Sequence, residues 1–212
     1  MRLHLAIIMI MAAVATHAQT AAQLFVNMPD RLFPALTAVN RADMIDFIDN
    51  GMRAVVSNAM DSTAEMTAKT DDYIAVKTSA MGSMQMKVLP LNDSTSVICL
   101  VRTVCPGACM SSVRFFDTGW HLLPCGQYFT MPRTSEFLLR SDLAFMTDSV
   151  GHSSLADIEL HRIDLAPDTP TMTITSTICD YATREEAVTL RRWLKPDGVK
   201  MQWQNGRFAI VK

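Results

Sequence analysis

SVICLVRTVCPGACMSSVRFFDTGW, residues 96–120, decides the fold. Val97 to Val104 is rich in β-branched residues, and Met110 to Phe116 alternates loosely between apolar and polar side chains. Between them lie Pro106, Gly107 and Ala108, with Cys105 and Cys109 on either side. A three-residue loop carrying glycine is a normal connection between two antiparallel strands. Setting Cys105 opposite Cys109 fixes the register by counting outward. Thr103 then meets Ser111, Val101 meets Val113, and Cys99 meets Phe115. On the other face Val104 meets Met110, Leu100 meets Arg114, and Ile98 meets Phe116. The first face is nearly all apolar and the second is apolar at one end only. The hairpin is therefore expected inside an antiparallel sheet, one face on a core and the other partly wet.

Directly opposed residues of an antiparallel pair have Cα atoms about 4.5–5.5 Å apart, within reach of a disulfide. Cys105 and Cys109 are thus read as a structural disulfide across the turn. A redox pair is the sharper alternative, but three residues separate the cysteines, and no helix N-terminus follows to lower a thiol pKa. The chain has five cysteines, an odd number. In an oxidising compartment at least one of them is free or bonded to another chain.

Residues 1–18 read as a cleavable export signal. Arg2 supplies the positive end, Leu3 to Val14 is apolar apart from His4, and Thr16-His17-Ala18 offers small residues before a cut at Gln19. The apolar run is too short to span a bilayer, and no cysteine stands at the cut to take a lipid. The expected location is periplasmic or secreted, with no transmembrane segment in the mature chain. Loss of Arg2 and of no acid moves the net charge from −2 to −3. Without a basic tract, nucleic-acid binding has no support.

Pro29 and Asp30 open a short helical turn with Leu32, Phe33 and Leu36 inward. Asn40 reads as an N-cap of a helix from Arg41 to about Asn58, with Met44, Ile45, Phe47, Ile48, Met52, Val55 and Val56 on its apolar face. Asp43, Asp46 and Asp49 read as its solvated side rather than a calcium site, since no oxygen-rich loop accompanies them. Asp61 to Asp72 is polar and reads as a loop. Tyr73–Thr78 and Gln85–Leu91 read as a strand pair. Thr134 or Ser135 opens a short helix, and 147–154, small and polar, is a candidate subdomain joint.

Toward the C-terminus, Met172, Ile174 and Ile178 alternate with a threonine row, as in a half-buried strand. Thr183-Arg184-Glu185-Glu186 is a capping box, followed by a helix with Ala187, Leu190, Trp193 and Leu194 on one face. Pro196 and Gly198 end it. Val199, Met201 and Trp203 then run into Asn205-Gly206, a two-residue hairpin turn that sets Trp203 opposite Phe208 and Met201 opposite Ile210. The helix is expected to pack on that face.

Three features of the chain suggest a chemistry. Met81, Met84 and Met86 suggest a copper thioether cluster, but methionine fills gaps throughout this chain. Asp117-Thr118-Gly119 is similar to the active strand of aspartic proteases, but that chemistry needs two such carboxylates, and the bulky Trp120 follows. It reads as a turn. His121, His152 and His161 show no ligand spacing. No catalytic, cofactor-binding or metal-binding residue is assigned, and no cofactor is expected.

LFVNMPDRLFPALTAVNRADMIDF, the VICLVRTVCPGACMSSVRFFDTGW hairpin and WLKPDGVKMQWQNGRF together resemble an uncharacterised family of exported Bacteroidales proteins with a domain of unknown function. Met28-Pro29-Asp30 and Asn40-Arg41-Ala42-Asp43 are the most specific stretches. The resemblance covers nearly all of the mature chain and implies export and a mixed helix–sheet fold. It implies no activity and no functional residue.

The expected fold is α+β: mainly antiparallel sheet with an N-terminal helical segment and a C-terminal helix packed on it, over residues 19–212, with two helix-plus-strands modules allowed. The expected role is a non-catalytic envelope protein that binds a protein, peptide or glycan. The alternative is a periplasmic enzyme, either a thiol oxidoreductase at Cys105 and Cys109 or a hydrolase with a dispersed site. An exposed apolar patch or open sheet edge favours the first, and a cleft with converging carboxylates or a Cys–His pair favours the second.

Overall fold

The computed structural model describes residues 19–139 and 159–211, so residues 1–18, expected as an export signal, and the candidate joint at 147–154 lie outside the described residues. Seven antiparallel strands follow one another as a meander: β1 (Val55–Ser57), β2 (Thr63–Lys69), β3 (Tyr73–Lys77), β4 (Gly82–Pro90), β5 (Ser96–Val104), β6 (Met110–Asp117) and β7 (Leu122–Leu123). A second antiparallel sheet holds β8 (His161–Leu165), β9 (Thr171–Ser176), β10 (Val199–Gln204) and β11 (Arg207–Ile210), with β11 and β8 at its edges. Helices α1 (Ala21–Val26) and α2 (Ala38–Asp49) lie on one face of the large sheet, and the small sheet lies on the other. The architecture is α+β.

The central hairpin has the expected register at every pair from Val104↔Met110 to Ile98↔Phe116. Its burial differs from the expectation in one respect. From Val97 to Val101 both faces of β5 are buried. Ile98 and Leu100 meet the helix side with Leu24, Phe25 and Met44, while Val97, Cys99 and Val101 meet Ile163, Met172 and Trp203 of the small sheet. The wet part is confined to the hairpin end of the helix-side face. Phe115 anchors the junction between sheets, with ring centroids 5.1 Å from Tyr128 and 6.3 Å from Trp203.

The edge strand β8 is joined to the large sheet by polar side chains. The Ile163 amide donates to Ser111 Oγ at 2.9 Å and the Leu165 amide to Gln85 Oε1 at 2.6 Å. Amides that an edge strand leaves open are thereby satisfied.

Several sequence expectations are corrected. The N-cap of α2 is Thr37, with Asn40 at N3 of a capping box, because the threonine hydroxyl accepts from the Asn40 amide. The helix ends at Asp49, and Gly51 turns the chain with φ +68°, so Val55 and Val56 belong to a strand. Asp61 to Asp72 holds β2, whose small apolar residue Ala64 and neighbour Met66 are buried while Thr63 is exposed. Helix α1 opens on a Thr20–Gln23 capping box. Ile178 lies in a 3-10 turn after β9. The face carrying Met201, Trp203 and Phe208 packs on the large sheet. The C-terminal helix α4 (Arg184–Arg191), after the short α3 (Cys125–Tyr128), packs elsewhere, Leu190 joining Leu138 and Ile178. Two sheets burying their apolar faces on each other leave that helix the margin. No helix among the described residues is long and apolar enough to cross a membrane.

Candidate binding surface

The end of the central hairpin is fixed from three directions. Cys105 and Cys109 are joined by a disulfide, with Cα atoms 4.0 Å apart. Gly107 takes φ +138°, a value L side chains rarely adopt. The Cys105 amide donates to the Met81 carbonyl at 2.8 Å, and the Thr177 hydroxyl donates to the Cys109 carbonyl at 2.6 Å. The tip is tied to β4 on one side and to the second sheet on the other.

On the helix side this rigid corner is bare. Helices α1 and α2 pack on β1 to β4, and their cover reaches β5 and β6 at Ile98, Leu100 and Phe116, where Trp120 closes the layer. Beyond it, Val104 is 54% exposed, Met110 59% and Leu122 65%. Val104 opposes Met110 and Leu122 opposes Phe116, so all three share the face of the helix-side core. Met81 is 57% exposed at the same end of the sheet. Between these apolar residues stand Arg102 and Arg114, both exposed. Arg102 opposes Ser112, one strand alternation from Arg114, which makes the arginines diagonal neighbours on one face. Neither has an ion-pair partner among the described residues. The outer edge of β6 is also open over most of its length, because β7 pairs only with Phe115 and Phe116.

The opposite face of the same corner holds a cleft of about 310 Å³ with a mixed lining that includes Val76, Met81, Lys77, Thr103 and Arg162. Its charges are largely answered. Arg162 pairs with Asp164 at 2.9 Å, and Lys77 sits in register with Glu65. Glu65 also takes two bonds from Arg53, which hold its carboxyl below the usual value.

A second cleft, about 510 Å³, runs along 91–97 past Asp117, Thr118 and Tyr128, with Gln19 at its rim. Asp117-Thr118-Gly119 is the turn expected from sequence. Asp117 Oδ1 accepts from the amides of Gly119 and His121, each at 2.9 Å, and Oδ2 is 2.9 Å from His121 Nδ1. Partial burial works to raise the carboxyl, but the His121 amide, the His121 ring and the Gly119 amide outweigh it and hold it below its ordinary value. Such a carboxylate is ionised and committed to its own turn.

The remaining candidates are dispersed. Met84 and Met86 are buried in the helix-side core while Met81 is exposed, so the three do not converge. Asp43 and Asp46 are exposed, and Asp49 bonds Lys69. His161 is half-buried against Phe137, centroids 4.6 Å apart, and burial lowers its pKa. The thiols of Cys99, Cys125 and Cys179 are all pushed up by burial, the reverse of nucleophile activation. Among the described residues no group of three His, Cys, Asp or Glu is placed to hold a metal. The register read from the sequence pairs Val104 with Met110 and Leu100 with Arg114 but says nothing of Arg102 or of the corner they form. The signal was there: Val104, Arg102, Arg114 and Met110 all fall on the face whose apolar pattern fails at one end.

The family described as protein of unknown function (DUF3256) matches residues 13–208. The chain is also similar to a solved domain of an uncharacterized protein from Porphyromonas gingivalis W83, at 25% identity and a TM-score of 0.75, over 90% of this chain and 96% of that one. No curated protein matches.

Proposed function

The chain belongs to this family of unknown function, and we propose that it is an exported, non-catalytic envelope protein that binds a partner through the bare corner of β5, β6 and β7. Export rests on the sequence of residues 1–18, whose charged start, short apolar run and small residues before Gln19 fit a cleavable signal. Binding rests on one observation. Exposed Val104, Met110 and Leu122 share a sheet face with two arginines that have no ion-pair partner among the described residues, on a strand pair locked by a disulfide. Apolar residues gathered around cations on a rigid frame are the make-up of an interaction site. A rigid site loses little freedom on binding. Of the three partner classes, protein or peptide fits best, because thioether and branched aliphatic side chains meet similar side chains better than they meet sugar hydroxyls.

The test has two parts. The full chain is expressed with its native N-terminus in a Bacteroidales host, and the mature protein is recovered from the periplasmic and extracellular fractions. A mass beginning at Gln19 is expected; full-length protein in the cytoplasm contradicts export. The M110D/L122D double variant, recovered the same way, is expected to lose partners that co-purify with the wild-type chain. Unchanged co-purification contradicts the assignment of the corner.

A further inference from the structure

The partner's chemistry can be read from what the corner lacks. Resting on the binding reading above, we infer that the occupant is an acidic amphipathic helix of another protein, laid on the open face beside α1 and α2. Arg102 and Arg114 are diagonal neighbours with no carboxylate in register around them. Across the face, Arg102 looks onto Met84 in β4 and Ser112 in β6, and Arg114 onto Leu100 in β5. Two like charges held close on a strand pair repel each other, and a pair of carboxylates from outside relieves that repulsion.

The geometry favours a helix over an edge strand. The residues in question point out of the sheet, not along its edge. Helices α1 and α2 already cover the neighbouring part of this face, so a helix placed here continues an existing layer. Carboxylates at i and i+3 or i+4 of a helix stand about 5–6 Å apart, and diagonal strand neighbours about 7–8 Å, a difference long arginine side chains span. The helix's apolar stripe then meets Val104 and Met110 on one side of the arginines and Leu122 on the other. On the strand side, the open edge of β6 presents backbone groups rather than these side chains, and its Val113 carbonyl already lies 3.9 Å from the Cys125 thiol. A second copy using the same face would set four arginines against one another, which excludes a two-fold dimer through it.

The probe is a displayed library of helices about five turns long, leucine on one stripe and Glu, Gln or Lys in equal shares beside it. Selection on the wild-type chain is expected to favour Glu over Lys by about tenfold, the yield of two favourable surface ion pairs. The R102E/R114E variant is expected to reverse the preference. Both positions are exposed, and an unchanged melting curve verifies that this variant folds. Equal enrichment of Glu and Lys, or an R102E/R114E variant with the wild-type preference, overturns the inference. So does tighter binding of the wild-type chain to phosphatidylglycerol vesicles than to the selected helices, since that makes the cations a lipid site. Concentration-dependent self-association abolished by D43K/D46K also overturns it, by making α2 of a second copy the occupant. If M110D/L122D abolishes selection while R102E/R114E does not alter it, the corner is a binding site for a partner that is not acidic. If no helix is enriched on the wild-type chain, the helical occupant falls. The binding reading falls with it only if M110D/L122D also leaves every co-purifying partner in place.

Discussion

The Arg41 guanidinium is fully buried and bonds Asp30 at 3.0 Å, while Asp30 itself is well exposed. The same guanidinium donates to the carbonyls of Val26, Met28 and Leu36. Those of Val26 and Met28 lie at and just past the end of α1, where a cation is favoured. The stretches Met28-Pro29-Asp30 and Asn40-Arg41-Ala42-Asp43 are thus the two halves of one contact.

Replacing Arg41 with methionine keeps the volume and strips buried carbonyls of their donor. The R41M variant is expected to lose about 3 kcal/mol in urea unfolding, the scale for breaking a buried charged network. D30N is expected to lose under about 1 kcal/mol, because its side chain is wet. Equal losses for the two would show that the ion pair, not the carbonyl set, holds the helices.

Gly198 opens β10 with φ +67°, and a Cβ built there would stand 2.3 Å from the Ile174 carbonyl oxygen. Alanine is strained twice over, by backbone conformation and by contact with a β9 carbonyl that cannot swing away. G198A is expected to lower stability by about 2 kcal/mol or more, read by thermal or urea unfolding. A neutral G198A would mean the β9–β10 pairing yields there.

His161 carries an acid-side prediction. Burial lowers its pKa in the folded chain below 6.5, so the unfolded chain takes up the proton first as pH falls. Its contribution to stability is whole above pH 6.5 and is lost progressively below it, down to the folded pKa. The His161 ring resonances are expected to titrate below those of a free histidine. H161Q is expected to flatten the decline of stability as pH falls below 6.5. A His161 that titrates at 6.5 or above contradicts the packing against Phe137.

The disulfide closes a loop with a sequence separation of only 4. Its entropic worth is therefore about 2 kcal/mol or less. C105S/C109S is expected to fold with a loss of that size and with faster amide exchange at Val104 and Met110. Alkylation without reductant is expected to leave Cys105 and Cys109 unmodified. A large loss of stability, or free alkylation, would recast the pair as something other than a staple of the turn.

What was legible in the sequence follows from how local each determinant is. The central hairpin register, the Asn205-Gly206 hairpin and the Thr183–Glu186 capping box are set by residues within a few positions of each other, and all three stand as read. The strand β2 was not legible. Its buried residues are Ala64 and Met66 among threonines, and only pairing with β3 makes them core. The partner of the Trp203 face was misjudged for the same reason. An apolar strand face asks for cover, but its own sequence does not say whether a helix or a second sheet supplies it. The exposed corner depends on where α1 and α2 stop, which is a property of helix length and docking, not of the hairpin that carries the residues.

The most direct measurement is a photo-crosslinking scan in the producing cells. A photoreactive side chain is placed in turn at Val104, Met110 and Leu122, and for comparison at Val39 on α2 and Val188 on α4, which are also exposed. One shared protein adduct is expected from the first three positions and none from the last two. Adducts from Val39 or Val188 alone, or the same adduct from all five, would contradict binding at the corner.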